Sequence, residues 1–374
     1  MAELFAVTVP KWGFSMEEGT IVAWRVAEGS AVSKGDELVD IETTKITNSV
    51  EAQQSGTLLR IVAEPGQTLP CGQLIAVIGD GAANDAEIAA FADGHAKMAM
   101  REVAEEHAPA QVAFTEAGGA RIRYLEMGKG GVPVVFIHGF GGDLENWMFN
   151  QPALAATRRT IALDLPGHGG STKEVGQATP DAMARVLSRA LDNLGVGRAH
   201  FVGHSFGGAV ALAVARGDPA RVASLTAIAP AGLGEEISSA YVDGFVSARR
   251  RADMSAVVSQ LFADPSLATR DMAEALLRYK RLDGVDAALK AIIAANFEGG
   301  RQHRADPDGW KTVAAPLLVL WGAEDRIIPR AHIDRAPSTA KKEVLPGAGH
   351  LPHLEKADAV NALLAAHIGA VAEA

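Results

Sequence analysis

The chain has 374 residues, of which 48% are hydrophobic and 39 are glycine, and this predicts one large core with a second, smaller globular unit. A formal net charge of −10 argues against a nucleic-acid partner, and the single cysteine, Cys71, excludes an internal disulfide framework. The start lacks the pattern of a secretory signal, and no apolar run approaches the roughly 18 residues of a membrane span. We therefore expect a soluble, cytoplasmic protein with no membrane partner.

Residues 1–80 contain an internal repeat with an offset of 37 positions, which aligns Gly29 with Gly66. Short β-branched runs alternate with glycines at the places where hairpins would turn. This pattern predicts an all-β domain in which two similar small sheets pack as a sandwich. Lys45 lies between two strand-like runs, so we expect it at the tip of a hairpin.

The segment Glu42-Thr43-Thr44-Lys45, with P-x-x-G at Pro10 to Gly13 and E-G-T from Glu18, resembles lipoyl domains over nearly all of residues 3–79. Related biotin carriers usually have methionines beside the lysine, where this chain has Thr44 and Ile46. The resemblance implies that a lipoate-attaching enzyme links lipoic acid to Lys45 as an amide. An ordinary surface lysine is the alternative.

Residues 81–112 are rich in alanine and acidic residues and show no core pattern of their own. We expect this segment to be a linker that lets Lys45 reach the second domain. It acts as a flexible tether if it is unstructured, and as a stiffer spacer if Glu87–His107 is helical.

Residues 113–374 show strands alternating with helices, which predicts an α/β fold with a doubly wound, mostly parallel sheet. A helix is expected from Pro180, with Thr179 as its N-cap, to about Gly195. Residues of about 233–306 show helical patterns without strands, which predicts a helical lid. The predicted strands are Arg121–Met127, Val134–His138, Thr160–Asp164, His200–Val202, Ser224–Ala229 and Leu317–Gly322.

The segment Gly203-His204-Ser205-Phe206-Gly207 follows an apolar strand and precedes an apolar helix. In this context G-x-S-x-G predicts a tight turn that presents the serine hydroxyl above the edge of a sheet. Ser205 is therefore the candidate nucleophile. A serine needs a base to remove its proton at neutral pH, so a histidine and an acid are expected later in the chain.

Together with Ser205, His138-Gly139-Phe140-Gly141-Gly142 and Asp164 to Gly169 resemble the α/β-hydrolase family over residues 113–370. The family order of nucleophile, acid and base implies Ser205, Asp325 and His350 as the catalytic triad, with Glu324 as the alternative acid. The resemblance also implies that the backbone N–H groups of Phe140 and Phe206 bind the oxyanion. No metal is expected.

Other candidate residues have structural interpretations that we favour. His204, His168 and His353 are expected to fill or shape the fold. His303 to Gly309 approximates the H-x-x-x-D-G motif of the usual lipoyl acyltransferases, but its spacing is one residue too long, so we reject it. Arg249–Arg251 could meet coenzyme A phosphates, although a solvated helix face is the more common role of a charge run.

A lipoyl domain fused to an α/β-hydrolase domain resembles the dihydrolipoamide acetyltransferase components of acetoin-cleaving dehydrogenase complexes. This implies that a thiamine-diphosphate-dependent acetoin dehydrogenase component acetylates the lipoyl group on Lys45, and that the second domain passes the acetyl to coenzyme A through Ser205. Dihydrolipoamide dehydrogenase is a further implied partner. The alternative is an ester or carbon–carbon bond hydrolase tethered to a lipoyl domain.

Overall fold

The computed structural model describes residues 4–10, 18–43, 47–81, 83–92, 94 and 112–371. The chain divides into two compact units, Met1–Pro109 and Ala110–Ala374, each with its own apolar core. None of the helices in the described residues is both long enough and apolar enough to cross a membrane.

The first unit consists of two four-stranded antiparallel sheets that form the predicted β sandwich. The strand order is β1-β8-β6-β3 in one sheet and β5-β4-β2-β7 in the other. The strands are β1 (Leu4–Thr8), β2 (Glu18–Trp24), β3 (Ala31–Val32), β4 (Glu37–Glu42), β5 (Thr47–Glu51), β6 (Gly56–Ile61), β7 (Thr68–Pro70) and β8 (Leu74–Gly79).

The internal repeat is visible in the backbone of this unit. Strands β4 and β8 begin 37 positions apart and occupy equivalent places in the two sheets. Two of the glycine pairs that the offset aligns adopt left-handed backbone angles, with φ of 83° at Gly29 and 87° at Gly66, and of 94° at Gly35 and 83° at Gly72. Because residues with a Cβ rarely adopt such angles, these glycines set the turns in both halves. Thus the duplicated sequence produces two equivalent sheets.

A helix, α1 (residues 85–92), follows the sandwich. Its Ile88 is 4% exposed and packs against Leu74 and Val77 of β8. Residues 83–92 therefore belong to the first unit, although they fall in the predicted linker. Residues 95–111, which complete most of that linker, lie outside the described residues.

The second unit is built on an eight-stranded sheet with the order β18-β17-β14-β13-β11-β12-β10-β9. Only β10 runs opposite to the other strands, so the mostly parallel sheet is confirmed. Its central strands are buried throughout, as expected where helices cover both faces. The strands are β9 (Val112–Ala117), β10 (Ala120–Met127), β11 (Val134–Ile137), β12 (Thr160–Leu163), β13 (Ala199–His204), β14 (Val222–Ile228), β17 (Leu317–Gly322) and β18 (Lys341–Leu345).

Helices flank this sheet and build the lid. The predicted cap is present on α3, where the Thr179 hydroxyl accepts from the N–H of Ala182. The helices are α2 (Gln151–Ala155), α3 (Pro180–Asn193), α4 (Phe206–Gly217), α5 (Ser239–Ser247), α6 (Arg251–Val258), α7 (Arg270–Lys280), α8 (Val285–Asn296), α9 (Pro307–Lys311), α10 (Pro352–Glu355) and α11 (Ala357–Gly369).

The lid differs from the prediction in one respect, because it is not free of strands. A short antiparallel hairpin of β15 (Phe297–Glu298) and β16 (Arg301–Gln302) follows α8. Gly299 and Gly300 form its two-residue turn, with φ of 55° and 77°. Two-residue strands carry no detectable alternation in the sequence, which is why the hairpin was not expected.

Two left-handed glycines provide a test of how tightly the turn after β12 is packed. A Cβ on Gly169 (φ 45°) would overlap the buried carboxylate of Asp164, whereas a Cβ on Gly176 (φ 58°) would meet nothing within 4 Å. We predict that Gly176→Ala lowers the free energy of unfolding by about 1 kcal/mol through backbone strain alone. Gly169→Ala should lower it by about 3 kcal/mol because it also displaces Asp164. Chemical denaturation of each variant measures the difference, and equal losses would contradict this packing argument.

Candidate active site

Ser205 occupies a strained turn between β13 and α4. Its φ of 51° and ψ of −118° lie in a region that residues with side chains rarely adopt. The two flanking glycines are required by space, since a Cβ on Gly203 would lie 2.5 Å from the carbonyl oxygen of Gly207, and one on Gly207 would overlap the carbonyl oxygen of Ile137. Strand β13 and helix α4 therefore meet in a tight turn, and the hydroxyl of Ser205 projects from that turn.

His350 lies beside this hydroxyl, although 145 residues separate the two in the chain. The distance from its Nε2 to the Ser205 Oγ is 3.0 Å, and the side chain of His350 is 3% exposed. Its Nδ1 lies 2.8 Å from Oδ2 of Asp325. In this arrangement Nδ1–H donates to the carboxylate, and Nε2 is free to accept the serine proton.

Asp325 follows β17, and its fully buried carboxylate accepts hydrogen bonds from four directions. Besides His350, the indole N–H of Trp321 donates to Oδ2 at 3.0 Å. The backbone N–H groups of Ile327 and Ile328 donate to Oδ1 at 2.8 and 3.1 Å. These donors hold the carboxylate in a single orientation toward the imidazole and compensate for its burial.

Glu324, the alternative acid, has different contacts. Its side chain accepts from the backbone N–H of Ala348 at 3.1 Å, and its own N–H donates to the carbonyl of the same residue. The acid that contacts the imidazole of His350 is Asp325. The geometry therefore favours Asp325 for this position and gives Glu324 a role in holding the loop that precedes His350.

The loop after β11 carries Phe140, and α4 begins at Phe206, the two residues whose N–H groups are expected to bind the oxyanion. A Cβ on Gly139 would lie 3.1 Å from the Cβ of Ser205, so this loop passes directly beside the nucleophile. Within the described part of the chain, no backbone hydrogen bond uses the N–H of Phe140 or of Phe206. Both N–H groups are therefore available to a ligand. The Phe140 ring packs against Phe245 of the lid, with 5.4 Å between the ring centroids.

Four further histidines surround this array, and burial lowers the pKa of each. His138 donates from Nδ1 to the carbonyl of Gly139 and accepts at Nε2 from the N–H of Leu165. Burial holds the pKa of His168 and of His204 well below the usual range and lowers that of His353 to about 3. These rings are neutral near pH 7, in keeping with structural roles.

His204 also makes one contact that was not expected from the sequence. Its Nε2 lies 2.8 Å from the backbone carbonyl of His350, so the residue before the nucleophile donates to the residue that carries the base. The two ring centroids are 4.8 Å apart. The contact ties the turn of Ser205 to the loop of His350.

The arginine run of the lid is fully engaged in ion pairs. Arg249 pairs with Asp286 at 3.3 Å, Arg250 with Asp253 at 3.0 Å, and Arg251 with Glu274 at 3.2 Å. Each guanidinium has a carboxylate partner within the lid. The arrangement favours the solvated helix face over a site for coenzyme A phosphates.

The segment with the approximate H-x-x-x-D-G motif also has local partners. His303 is exposed and lies 3.5 Å from Glu298. Asp306 caps α9 by accepting from the N–H of Gly309 and pairs with Arg216 at 2.7 Å. These contacts give the segment a structural role at the base of the lid.

Lys45 lies outside the described residues, but the strands on either side of it are described. Strand β4 pairs antiparallel with β5, and the last pair in register is Glu42 with Thr47. Both of these residues are exposed. In the sequence, the predicted attachment site thus falls between two strands that pair with each other.

No group of three or more His, Cys, Asp or Glu side chains in the described ranges is arranged to hold a metal ion. The groups around the site act instead as hydrogen-bond partners, and they are backbone N–H groups, one indole and the imidazoles.

Sequence reasoning missed Trp321 and the contact from His204, because both depend on distances across the fold and no local motif marks them.

Two family models match the chain. The model described as the alpha/beta hydrolase fold matches residues 132–357, and the biotin and lipoyl model, described as "Biotin-requiring enzyme", matches residues 6–78. Among solved structures, the meta-cleavage product hydrolase of Pseudomonas fluorescens is 24% identical with a TM-score of 0.63, covering 69% of this chain and 97% of its own. At that identity the likeness shows the fold alone.

Two relatives match along nearly the whole chain. The dihydrolipoyllysine-residue acetyltransferase component of the acetoin cleaving system of Pseudomonas putida is 47% identical over 96% of this chain and 97% of its own length. The protein of the same description from Cupriavidus necator is 44% identical over 98% of both chains. With both modules matched and nearly the full length aligned, the chain belongs to the family of dihydrolipoyllysine-residue acetyltransferase components of acetoin cleaving systems.

Proposed function

We propose that this enzyme passes an acetyl group from a lipoyl arm on Lys45 to coenzyme A, and that Ser205 carries the acetyl between the two thiols. The observation that carries the proposal is the continuous array in which Ser205, His350 and Asp325 are joined by distances of 3.0 and 2.8 Å. Its relatives are named as acetyltransferase components of an acetoin cleaving system, which supports membership of a multienzyme complex.

The first unit is suited to carry the arm. Lys45 lies in the sequence between paired strands whose last registered residues, Glu42 and Thr47, are exposed, and a lysine offers the primary amine that an amide link requires. Lipoate bound there would supply, in its reduced dithiol form, a thiol that can hold acetyl as a reactive thioester. A lipoate-attaching enzyme, a thiamine-diphosphate-dependent acetoin dehydrogenase component and dihydrolipoamide dehydrogenase are the proposed partners.

Acylation of Ser205 is the first chemical step. Its Oγ attacks the carbonyl carbon of the thioester while its proton passes to Nε2 of His350, 3.0 Å away. When the carbon–sulfur bond breaks, the departing sulfur takes that proton from His350. The products are an acetyl ester on Ser205 and a free thiol.

Transfer to coenzyme A reverses this sequence with a second thiol. His350 accepts the proton of the coenzyme A thiol as the sulfur attacks the ester carbonyl. The carbon–oxygen bond then breaks, and Oγ of Ser205 recovers a proton from His350. The first step converts a thioester into an ester and the second converts that ester into a thioester, so their driving forces oppose each other and the overall transfer between two thiols is nearly balanced.

Both steps pass through a tetrahedral species with negative charge on the former carbonyl oxygen. The unengaged N–H groups of Phe140 and Phe206 are the donors that would stabilise this charge. Positive charge develops at the same time on His350. The Asp325 carboxylate, held by three other donors, stabilises the imidazolium and keeps Nε2 facing the serine.

The neighbouring rings support this division of roles. His204 lies 4.8 Å from His350 between ring centroids, and a positive charge there would oppose protonation of the base. Burial, followed by the nearby imidazoles of His353 and His350, holds the pKa of His204 well below its usual range. His204 therefore remains neutral while His350 takes up the proton.

Ser205→Ala separates loading of the arm from transfer. The change removes a single oxygen at a turn that Gly203 and Gly207 define, so the fold and the first unit should be unaffected. We predict that the partner enzyme still acetylates the lipoyl arm, but that formation of acetyl-coenzyme A falls by about a thousandfold or more because the nucleophile is lost. Acetylated lipoyl protein should accumulate, as measured by intact mass.

Lys45→Arg is the matched control for this experiment, because it keeps the positive charge but cannot form the lipoyl amide. It should abolish loading while leaving turnover of a small soluble thioester at the second unit. Formation of acetyl-coenzyme A by Ser205→Ala at the parental rate would exclude an obligatory ester on Ser205. Free acetate as the main product in excess coenzyme A would instead favour a hydrolase.

Asp325→Asn tests the acid. An amide at this position can donate to Nδ1 of His350 and stabilise the wrong tautomer, leaving no acceptor for the serine proton; in the serine-protease template this change lowers kcat by about 10⁴-fold. We predict a comparable loss in the acetyl-transfer rate. Glu324→Gln is the matched control and should be nearly silent, since an amide oxygen at this position can still accept from the N–H of Ala348. A severe loss in Glu324→Gln with little change in Asp325→Asn would reverse the assignment.

A further inference from the structure

The segment between α6 and α7 lies directly against the residues that carry the base. We call residues 259–263 the lid strap and residues 346–351 the base loop. The N–H of His350 donates to the carbonyl of Leu261 at 2.7 Å. A Cβ on Gly349 would lie 2.7 Å from both the backbone nitrogen of Ala263 and the carbonyl oxygen of Leu261. The two segments therefore meet backbone to backbone, without space for a side chain.

Glu355 of α10 joins these two segments through a single carboxylate. One oxygen, Oε1, accepts from the N–H of Gly349 at 2.8 Å, and the other, Oε2, accepts from the N–H of Ala263 at 2.7 Å. Hydrogen bonds to an ionised carboxylate are stronger than those between neutral groups. The side chain is half-buried, so these bonds are partly shielded from water.

The lid strap is also fixed to the loop that follows Asp325. The guanidinium of Arg326 donates to the carbonyl of Ala263 at 3.3 Å. The hydroxyl of Ser238, the N-cap of α5, donates to Oε1 of Gln260 at 3.3 Å, and the N–H of Ser238 donates to the carbonyl of Ile327 at 2.8 Å. A displacement of the strap would thus affect the loops of both the base and the acid.

We propose that Glu355 is a positioning residue that clamps the lid strap onto the base loop and so holds His350 in line between Ser205 and Asp325. The proposal rests on the proposed function of these three side chains. The carboxylate does not touch the reacting atoms. It binds the N–H of Gly349, the residue before His350, and it holds the strap whose Leu261 carbonyl accepts from the N–H of His350.

This clamp has a direct consequence for the rate. Proton transfer depends on the 3.0 Å distance between His350 and Ser205, and a misplacement of about 1 Å can lower a rate by about a hundredfold. We expect the loss of one hydrogen bond of the clamp to displace His350 by less than that. The expected effect is therefore on kcat, with little change in KM.

Glu355→Gln tests the clamp in the full-length chain. Its amide offers one acceptor oxygen, and its NH₂ group would face one of the two backbone N–H groups. We predict that labelling of Ser205 by a small fluorophosphonate slows about tenfold, and that kcat for a soluble acetyl thioester falls by a similar factor. Glu324→Gln is the matched control, since its carboxylate accepts one hydrogen bond from the base loop, at Ala348, which an amide oxygen can still accept, whereas Glu355 uses both of its oxygens.

Gly349→Ala provides an independent variant that leaves the carboxylate in place. Its Cβ would push the strap from the base loop, and the labelling rate should fall as in Glu355→Gln. The proton NMR signal of Nδ1–H of His350 should shift in both variants and remain in place in Glu324→Gln. A role in stability alone would lower the melting temperature but leave the labelling rate of the folded protein unchanged.

The outcomes separate this inference from the proposed function. If the parental protein is labelled at Ser205 while folded Glu355→Gln and Gly349→Ala are labelled at the parental rate, the clamp is wrong and the triad stands. If the parental protein is not labelled at Ser205, the proposed function fails first, and the clamp fails with it. Slower labelling of both variants with an unchanged Glu324→Gln supports the clamp.

Discussion

The hydrogen bond between Ser205 and His350 is the interaction on which the rest of this structure depends. It is 3.0 Å long and joins groups 145 residues apart in the chain. It can form because Ser205 follows β13 and His350 follows β18, and parallel strands bring the ends of both to the same edge of the sheet. The strained turn at Ser205 completes it by lifting the hydroxyl clear of the strand. The order and direction of the strands therefore determine the geometry of the site.

Burial determines how the groups around this bond are charged. The imidazoles nearest to His350 are neutral, because taking a charged ring out of water is unfavourable and the rings are close to one another. Asp325 is buried as well, but four donors surround its carboxylate. The site thus combines a buried negative charge, which hydrogen bonds compensate, with neutral imidazole rings around it.

Much of the fold and the pairing of the three side chains could be predicted from the sequence, because the signals are local or depend on chain order. The cap at Thr179 and the turn at Ser205 are examples of local signals. By contrast, the bridge formed by Glu355 depends on backbone groups about 90 residues apart, and no residue pattern encodes such a distance. The docking of Ile88 on the sandwich was also missed, because alanines fill much of residues 85–92 and leave only Ile88 and Phe91 as large apolar side chains to mark a buried face.

The central claim is that acetyl resides on Ser205 between the two thiols. It is tested most directly by supplying the parental enzyme with an acetyl thioester, quenching in acid within milliseconds to seconds, and analysing the peptides by mass spectrometry. The account predicts an acetyl group on the peptide that contains Ser205, and predicts that this signal disappears when coenzyme A is added before the quench. Formation of acetyl-coenzyme A with no acetyl on that peptide at any quench time would contradict it.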